Sequence, residues 1–272
     1  MDAVITWLQT APLWQAALVL LVENAVILLL AVAGGEWLAW IFRHRRVAPL
    51  AHPLQRIEVW TTVSTVLTNT ITTIVGLHLW RAEVIRFRDD VGVGAWIDVA
   101  VLLLIMDIAM YVLHRVAHHP WIYGWLHRLH HEFDRPRPLT LFILHPLENL
   151  SFGMLWLLTI SLYSASWLGM SIYLMLNVLF GTIGHLGVEP FPTWWGRIPV
   201  LRYVGGSTFH ARHHQDVSCN FGFYTLLWDR LFGTLRRDYF ESIGVLPQWV
   251  TGEVPGIQEL NGSSPSRASS EE

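Results

Sequence analysis

The chain of 272 residues holds a single cysteine, Cys219. One thiol excludes an internal disulfide, and it excludes an iron–sulfur cluster held by the chain's own thiolates. Charge is scarce too. Soluble domains carry roughly a quarter of their residues charged; here 14% are charged and 53% are hydrophobic. An outside that greasy finds its simplest solvent in a membrane. The net charge of −3 is too small to point to nucleic acid, and no basic stripe alternates with exposed aromatics. No repeat at solenoid spacing occurs. No small-residue cleavage site follows a short apolar core near the start, so the first apolar stretch reads as a retained anchor.

What is abundant is apolar sequence in long runs. Residues 13–42 are long enough to span, since a bilayer core needs about 20 apolar residues as helix, and Glu23 and Asn24 within them are expected to face neighbouring helices. Arg43, Arg45 and Arg46 follow directly. The positive-inside rule then puts this loop in the cytoplasm and the N-terminus outside. A second span, rich in Thr and Val, is expected at about 57–79 and a third at 95–113. Residues 151–184 are too long for one crossing, and Ser164, Ser166 and Gly169 near the middle predict a hairpin of two segments. The expected fold is an all-α integral membrane protein with about four transmembrane helices and a cytoplasmic histidine-rich helical cap. The expected division is an anchor at 1–94, a catalytic domain at 95–240 and a tail at 241–272, its end polar and disordered.

Histidine is the other abundance. Six of the fourteen lie between positions 114 and 131: His114, His118, His119, His127, His130 and His131. A second block supplies His210, His213 and His214, and His145 and His185 flank the apolar hairpin. On a helix each residue advances about 100°, so Asp107, Tyr111, His114 and His118 share a stripe and His119 points away from it. His127 and His131 are i and i+4 with His130 beside them, and His210, His213 and His214 repeat that triplet. A lone histidine such as His44, His52 or His78 is ordinarily a hydrogen-bonded structural residue. Two HxxHH triplets and one HxxxH are different: imidazole is the commonest side-chain metal ligand, and crowding so many without a metal leaves polar atoms unpaired at a greasy boundary.

Eight to ten ligands are too many for one ion, so two are implied. Imidazole suits zinc, copper, iron and nickel alike. Hydrolytic two-metal sites need a way to activate a nucleophile, and carboxylates near the clusters are few: Asp107, Glu132, Asp134, Glu148 and Asp216. A histidine-rich, carboxylate-poor site in a lipid setting points to oxygen chemistry at non-haem iron, which side chains alone cannot perform.

The same residues carry a resemblance. HRVAHH ending at His119, LHRLHH (126–131), HPLE (145–148), GHLG (184–187), HARHH (210–214), NFGFY (220–224) and WDRLFGT (228–234) run in the order seen in the fatty acid hydroxylase / sterol desaturase superfamily of membrane di-iron oxygenases. The chain resembles that superfamily over about 107–234, and its pattern looks most like the sterol C-5 desaturase branch. The resemblance implies a four-helix membrane stalk, a cytosolic cap, and hydroxylation or desaturation of a fatty acyl, sterol-like or other isoprenoid lipid with dioxygen and electrons. It implies two iron ions, for which zinc can substitute in isolated protein. The implied ligands are His114, His118, His127, His130, His131, His210, His213 and His214, with His185 as a further ligand and His145 as the histidine of the sterol branch. Asp107, Glu148, Asp216 and Asn220 are candidates to orient ligating rings, while Asp229 and Trp228 read as a packed turn. No flavin or cytochrome domain is visible, so electrons come from an external ferredoxin or cytochrome/reductase partner. The membrane is a bacterial inner membrane or one of the endoplasmic-reticulum type. Two alternatives stay open: a histidine-lined metal transporter or sensor, with its polar groups inside the spans, and a membrane zinc hydrolase with Glu132 as base.

Overall fold

The computed structural model describes residues 2–243; the end of the tail expected to be disordered lies outside the described residues. The described residues form helices and turns, with three isolated β-bridges and no strand. A short helix α1 (Asp2–Thr10) leads into α2 (Leu13–Ile41), then α3 (Arg56–Arg81) and α4 (Val93–Ala117). Two short helices, α5 (Pro120–Leu126) and α6 (Arg128–His131), turn the chain into α7 (Pro146–Leu162) and α8 (Trp167–Gly184). The cap adds α9 (Ser207–Gln215), α10 (Leu227–Leu231) and α11 (Tyr239–Ser242).

Three of these helices, α2, α4 and α8, are long and apolar enough to cross a membrane. α2 buries only Ala16, Leu20 and Gly35 and turns residues such as Leu18, Leu29, Leu30 and Trp37 outward, as a lipid-facing helix does. α3 occupies the second expected span, but its threonines lower its hydropathy below that of the other three. Buried Thr61, Thr68 and Thr72 each donate to the carbonyl four residues back, at 2.8, 2.9 and 3.1 Å. Each hydroxyl thereby satisfies itself within its own helix. The expected hairpin is present as α7 and α8, broken at 163–166.

α4 is the central post, packed against α8 and α7, while α3 lies on α7 and α2 on α3 and α8. Two crossings depend on glycine. A Cβ on Gly153 would come within 2.5 Å of Thr72 Oγ1, and one on Gly169 within 2.6 Å of Asp98 Cβ and 2.8 Å of the Ala95 carbonyl. Asp98 pins the end of the bundle remote from the histidines. Its carboxylate accepts from Arg88 at 2.6 and 2.7 Å, from Tyr163 Oη at 2.7 Å and from the Ser166 N–H at 2.7 Å.

The histidine end is sutured by backbone. The Glu189 N–H donates to Arg45 O at 2.8 Å and the Val47 N–H to Gly187 O at 3.1 Å. The Arg45 guanidinium donates to the carbonyls of Pro190 and Phe191. The basic stretch after α2 therefore lies at the same end as His185.

Candidate metal centre

Nine histidines converge in two groups. His114, His118, His127, His131 and His213 form the first, and His130, His185, His210 and His214 the second; within each group one ligand atom per residue lies within 4.8 Å of all the others. The triplets do not each make a cluster of their own, as their sequence suggests. His127 and His131 enter the first group and His130 the second, whereas His210 and His214 enter the second and His213 the first. On a helix the i and i+4 rings share a face and the i+3 ring lies to its side, so residues 127–131 and α9 each reach into both groups. HxxxH at the end of α4 completes the first group, and His185, the C-cap of α8, completes the second.

The rings are oriented by their outer nitrogens. Nδ1 of His114 lies 2.9 Å from Phe221 O, that of His130 3.1 Å from Ile143 O, that of His185 2.8 Å from Gly181 O and that of His213 2.7 Å from Cys219 O. A carbonyl only accepts, so each of these Nδ1 atoms carries the proton and each neutral ring presents a lone pair on Nε2. His127 Nδ1 meets Glu148 Oε1 at 2.5 Å, with both side chains buried. Glu148 stands ahead of the apolar part of α7, and burial pushes its carboxyl up to about 8.

Nε2 atoms then face one another. His114 and His127 approach to 3.1 Å, His118 and His213 to 3.1 Å, His131 and His118 to 3.2 Å, and His131 and His127 to 3.1 Å. In the second group His130 and His185 stand at 3.4 Å, His185 and His210 at 2.9 Å, and His210 and His214 at 3.1 Å. Burial lowers His118 to about 2, His130 to about 3 and His185 to about 4, and holds His210, His213 and His214 well below the ordinary range. The rings are thus neutral at pH 7. Lone pairs converging at about 3 Å, with no proton available to share in a pair such as His130 and His185, fit a cation and little else. The spacing is also that between neighbouring nitrogens bound about 2.0–2.1 Å from one ion.

His145 is not brought to either group. It caps the start of α7, where its Nδ1 accepts from the Leu147 N–H at 3.3 Å, and its ring lies 6.3 Å from that of Trp125. His119, which points away from the stripe of His114 and His118, caps α5 in the same way. Among the four residues expected to orient rings, only Glu148 touches one. Asp107 instead accepts from Tyr224 N, Thr225 N and Trp228 Nε1 at 3.1, 3.1 and 3.0 Å, and so clamps the cap to α4. Asp216 caps its own turn at Ser218. Asn220 binds Phe209 O and the Arg236 N–H at a φ of 60°, a left-handed conformation that asparagine tolerates. That bend aims the carbonyls on either side of it, Cys219 and Phe221, at His213 and His114. Asp229 holds the same turn through the N–H groups of Phe221 and Gly222 at 2.8 and 2.6 Å. A residue that the sequence did not single out, Glu189, is buried and accepts from Thr208 N at 2.8 Å, which fixes the start of α9. An acid directly after GHLGV was the one available signal.

The sequence model for the fatty acid hydroxylase family matches residues 99–234, half of the chain. The chain belongs to the fatty acid hydroxylase family. It is 26% identical to a Delta(7)-sterol 5(6)-desaturase of Leptosphaeria maculans, over 54% of this chain and 40% of that protein. It is 29% identical to the cholesterol 25-hydroxylase of Homo sapiens, over 49% of each chain, and 29% identical to the lathosterol oxidase of Mus musculus, over 58% of this chain and 54% of the other. The chain spans about half the length of the curated relatives it matches, or less. No solved structure matches it.

Proposed function

We propose that this chain is a membrane-bound di-iron oxygenase that hydroxylates or desaturates a lipid. The observation that carries this is the pairing of two all-histidine donor sets whose Nε2 lone pairs converge. Five histidines, His114, His118, His127, His131 and His213, would hold one iron, and His130, His185, His210 and His214 the other. Iron there supplies the dioxygen chemistry that attacks an unreactive C–H bond, which side chains cannot supply. The chain's own work is orientation. Carbonyls of Ile143, Gly181, Cys219 and Phe221 lock four rings, Glu148 locks a fifth, and the surrounding burial keeps all of them neutral.

The lipid is fatty acyl, sterol-like or otherwise isoprenoid, in keeping with the sterol relatives. Hydroxylation places one oxygen atom of dioxygen in the lipid and reduces the other to water with two electrons and two protons. Desaturation removes two hydrogens and reduces both oxygens. A separate ferredoxin or cytochrome/reductase provides the electrons. Arg43, Arg45 and Arg46 lie at the histidine end, so the positive-inside rule supports a cytoplasmic cap and a donor docking from that side. The division into an anchor at 1–94, a catalytic domain at 95–240 and a tail from 241 belongs to the same reading. The zinc-hydrolase alternative is weakened at its base: Glu132 is 56% exposed and paired with Arg128 at 3.4 Å.

The test is mass spectrometry of total lipids from cells expressing the intact chain or His130→Ala under oxygen-18 gas. One labelled oxygen gained only with the intact chain establishes hydroxylation. Loss of two hydrogens without label establishes desaturation. No histidine-dependent change in any lipid, with iron content and an electron donor verified, removes the proposal.

A further inference from the structure

A narrow slot opens beside the second histidine group, between the last turns of α8 and the cap. It is bounded by Phe180, Gly181, Gly184, Phe209, Phe223 and the two rings His185 and His210, with further cap glycines behind. At about 10 Å³ it is nearly shut. No side chain lining it carries a polar atom except the two histidines.

Most of the glycines around the slot are explained by packing. A Cβ on Gly181 would lie 2.7 Å from Leu141 Cδ1, one on Gly205 3.0 Å from Phe223 O, one on Gly206 3.1 Å from the Glu189 carboxylate and one on Gly222 2.4 Å from Thr225 O. Gly184 is different. Its nearest neighbours would all be His210 atoms, at 3.6, 3.7 and 3.8 Å, which is ordinary contact, and its φ is not in the left-handed region. Neither sterics nor a left-handed backbone requires glycine there. Gly184 is part-exposed, and His210 at 8% is the most exposed ring of its group. What Gly184 leaves open is the face of His210.

We propose that Gly184 is a specificity-determining position: it keeps free the path by which the hydrocarbon segment of a membrane lipid, with no polar group at its leading end, reaches the second histidine group between Phe180 and Phe223. This rests on the lipid-oxygenase reading for its chemistry but not for its binding step. The slot continues directly from α8, one of the helices apolar enough to cross the bilayer. An apolar chain leaving the bilayer along that helix meets Phe180 and Phe223, both part-buried, and displaces them to enter. With about 10 Å³ free, the slot admits a methylene chain only once Phe180 and Phe223 have moved aside.

The experiment uses the full chain in detergent, iron-loaded, as wild type, Gly184→Ala and Gly184→Leu. A long-chain fatty acid carrying a diazirine near its methyl end is photolysed and its crosslinks are mapped by peptide mass spectrometry. Iron content and melting temperature are read on the same samples, and lipid products are read in cells. The expected result is crosslinking of the wild type at 180–184 and 222–223, weakened several-fold in Gly184→Ala and lost in Gly184→Leu, with Gly184→Ala keeping full iron and melting temperature. Product should fall at least tenfold in Gly184→Leu or move to another carbon. Crosslinks that are absent from the slot in wild type, or unchanged in an iron-replete Gly184→Leu, overturn the inference. If wild type forms no oxidised lipid but crosslinks there in a Gly184-dependent way, the oxygenase reading fails while the binding path stands.

Discussion

His130 and His185 face each other across 3.4 Å through nitrogens that both carry lone pairs. Each ring has committed its proton to a backbone carbonyl on the other side, Ile143 and Gly181. The contact repels unless a cation sits with it, and that separates the second group from an ordinary buried histidine network.

His130→Ala or His185→Ala should therefore lose one of two bound irons, while His145→Ala should keep both. Metal analysis of purified protein gives the answer, with two irons per chain in wild type and His145→Ala and about one in the others. An unchanged content in His185→Ala, or a loss in His145→Ala, would contradict the assignment of His185 to the second site and of His145 to a helix cap.

Much of this was legible beforehand, and what was not has a physical reason. Apolar runs and the break at 163–166 marked α2, α4, α7 and α8 because hydropathy and turn residues are local properties. Histidine spacing marked the ligand candidates because i and i+4 share a helix face with i+3 at its edge. The split of each triplet between two groups was not legible, since it depends on how α6 and α9 cross. Nor were the ring-orienting partners, because four of the five are backbone carbonyls, which every residue type carries. Asp107 is a related case: it lies on the stripe of His114, but its distance along the helix brings it to the cap turn at 224–228 instead of to a ring. His145 matched a motif whose proline–leucine continuation starts a helix, and the helix start claimed the imidazole.

Among the described residues, Glu148 is the one carboxyl hydrogen-bonded to a ligand ring. Glu148→Gln keeps the shape but replaces the carboxyl that His127 Nδ1 meets with an amide. Losses of about 10–100-fold in metal affinity are typical when such a partner is removed, and that is the range expected for the first site alone. Competition titration with a coloured chelator measures it. Equal weakening of both sites, or of neither, would count against a role specific to His127.

Acid should destabilise the metal-stripped protein in a defined window. Burial holds His130 near 3 and His185 near 4, below the 6.5 of an unfolded chain. Between these limits the unfolded state binds more protons, so stability rises with pH. The contribution is complete well above pH 6.5 and is lost progressively as pH falls towards about 4. Melting temperatures of chelator-treated protein at pH 7.5, 6.5, 5.5 and 4.5 should begin to fall between the first two and fall more steeply over the last two. Iron should be released over the same acid range, because protons compete for the ligand nitrogens. A flat profile down to pH 4.5 would mean that the buried rings find compensating anions.

The Asp107 clamp couples cap to membrane helix, and its loss should reach the metal. The carboxylate accepts the N–H groups of Tyr224 and Thr225 and the indole of Trp228. The same loop begins at Phe221, whose carbonyl orients His114. In Asp107→Ala the buried Tyr224 N–H loses its partner, at a cost of about 1–3 kcal/mol for one such group, and Trp228 loses its anchor. The expected result is a lower melting temperature together with weaker metal retention at the first site, and little change at the second, whose rings are oriented by Ile143 and Gly181. Asp107→Asn, which keeps one acceptor oxygen, should recover part of both. A variant that melts lower yet binds both metals with wild-type affinity would show that the clamp holds the cap but does not aim His114.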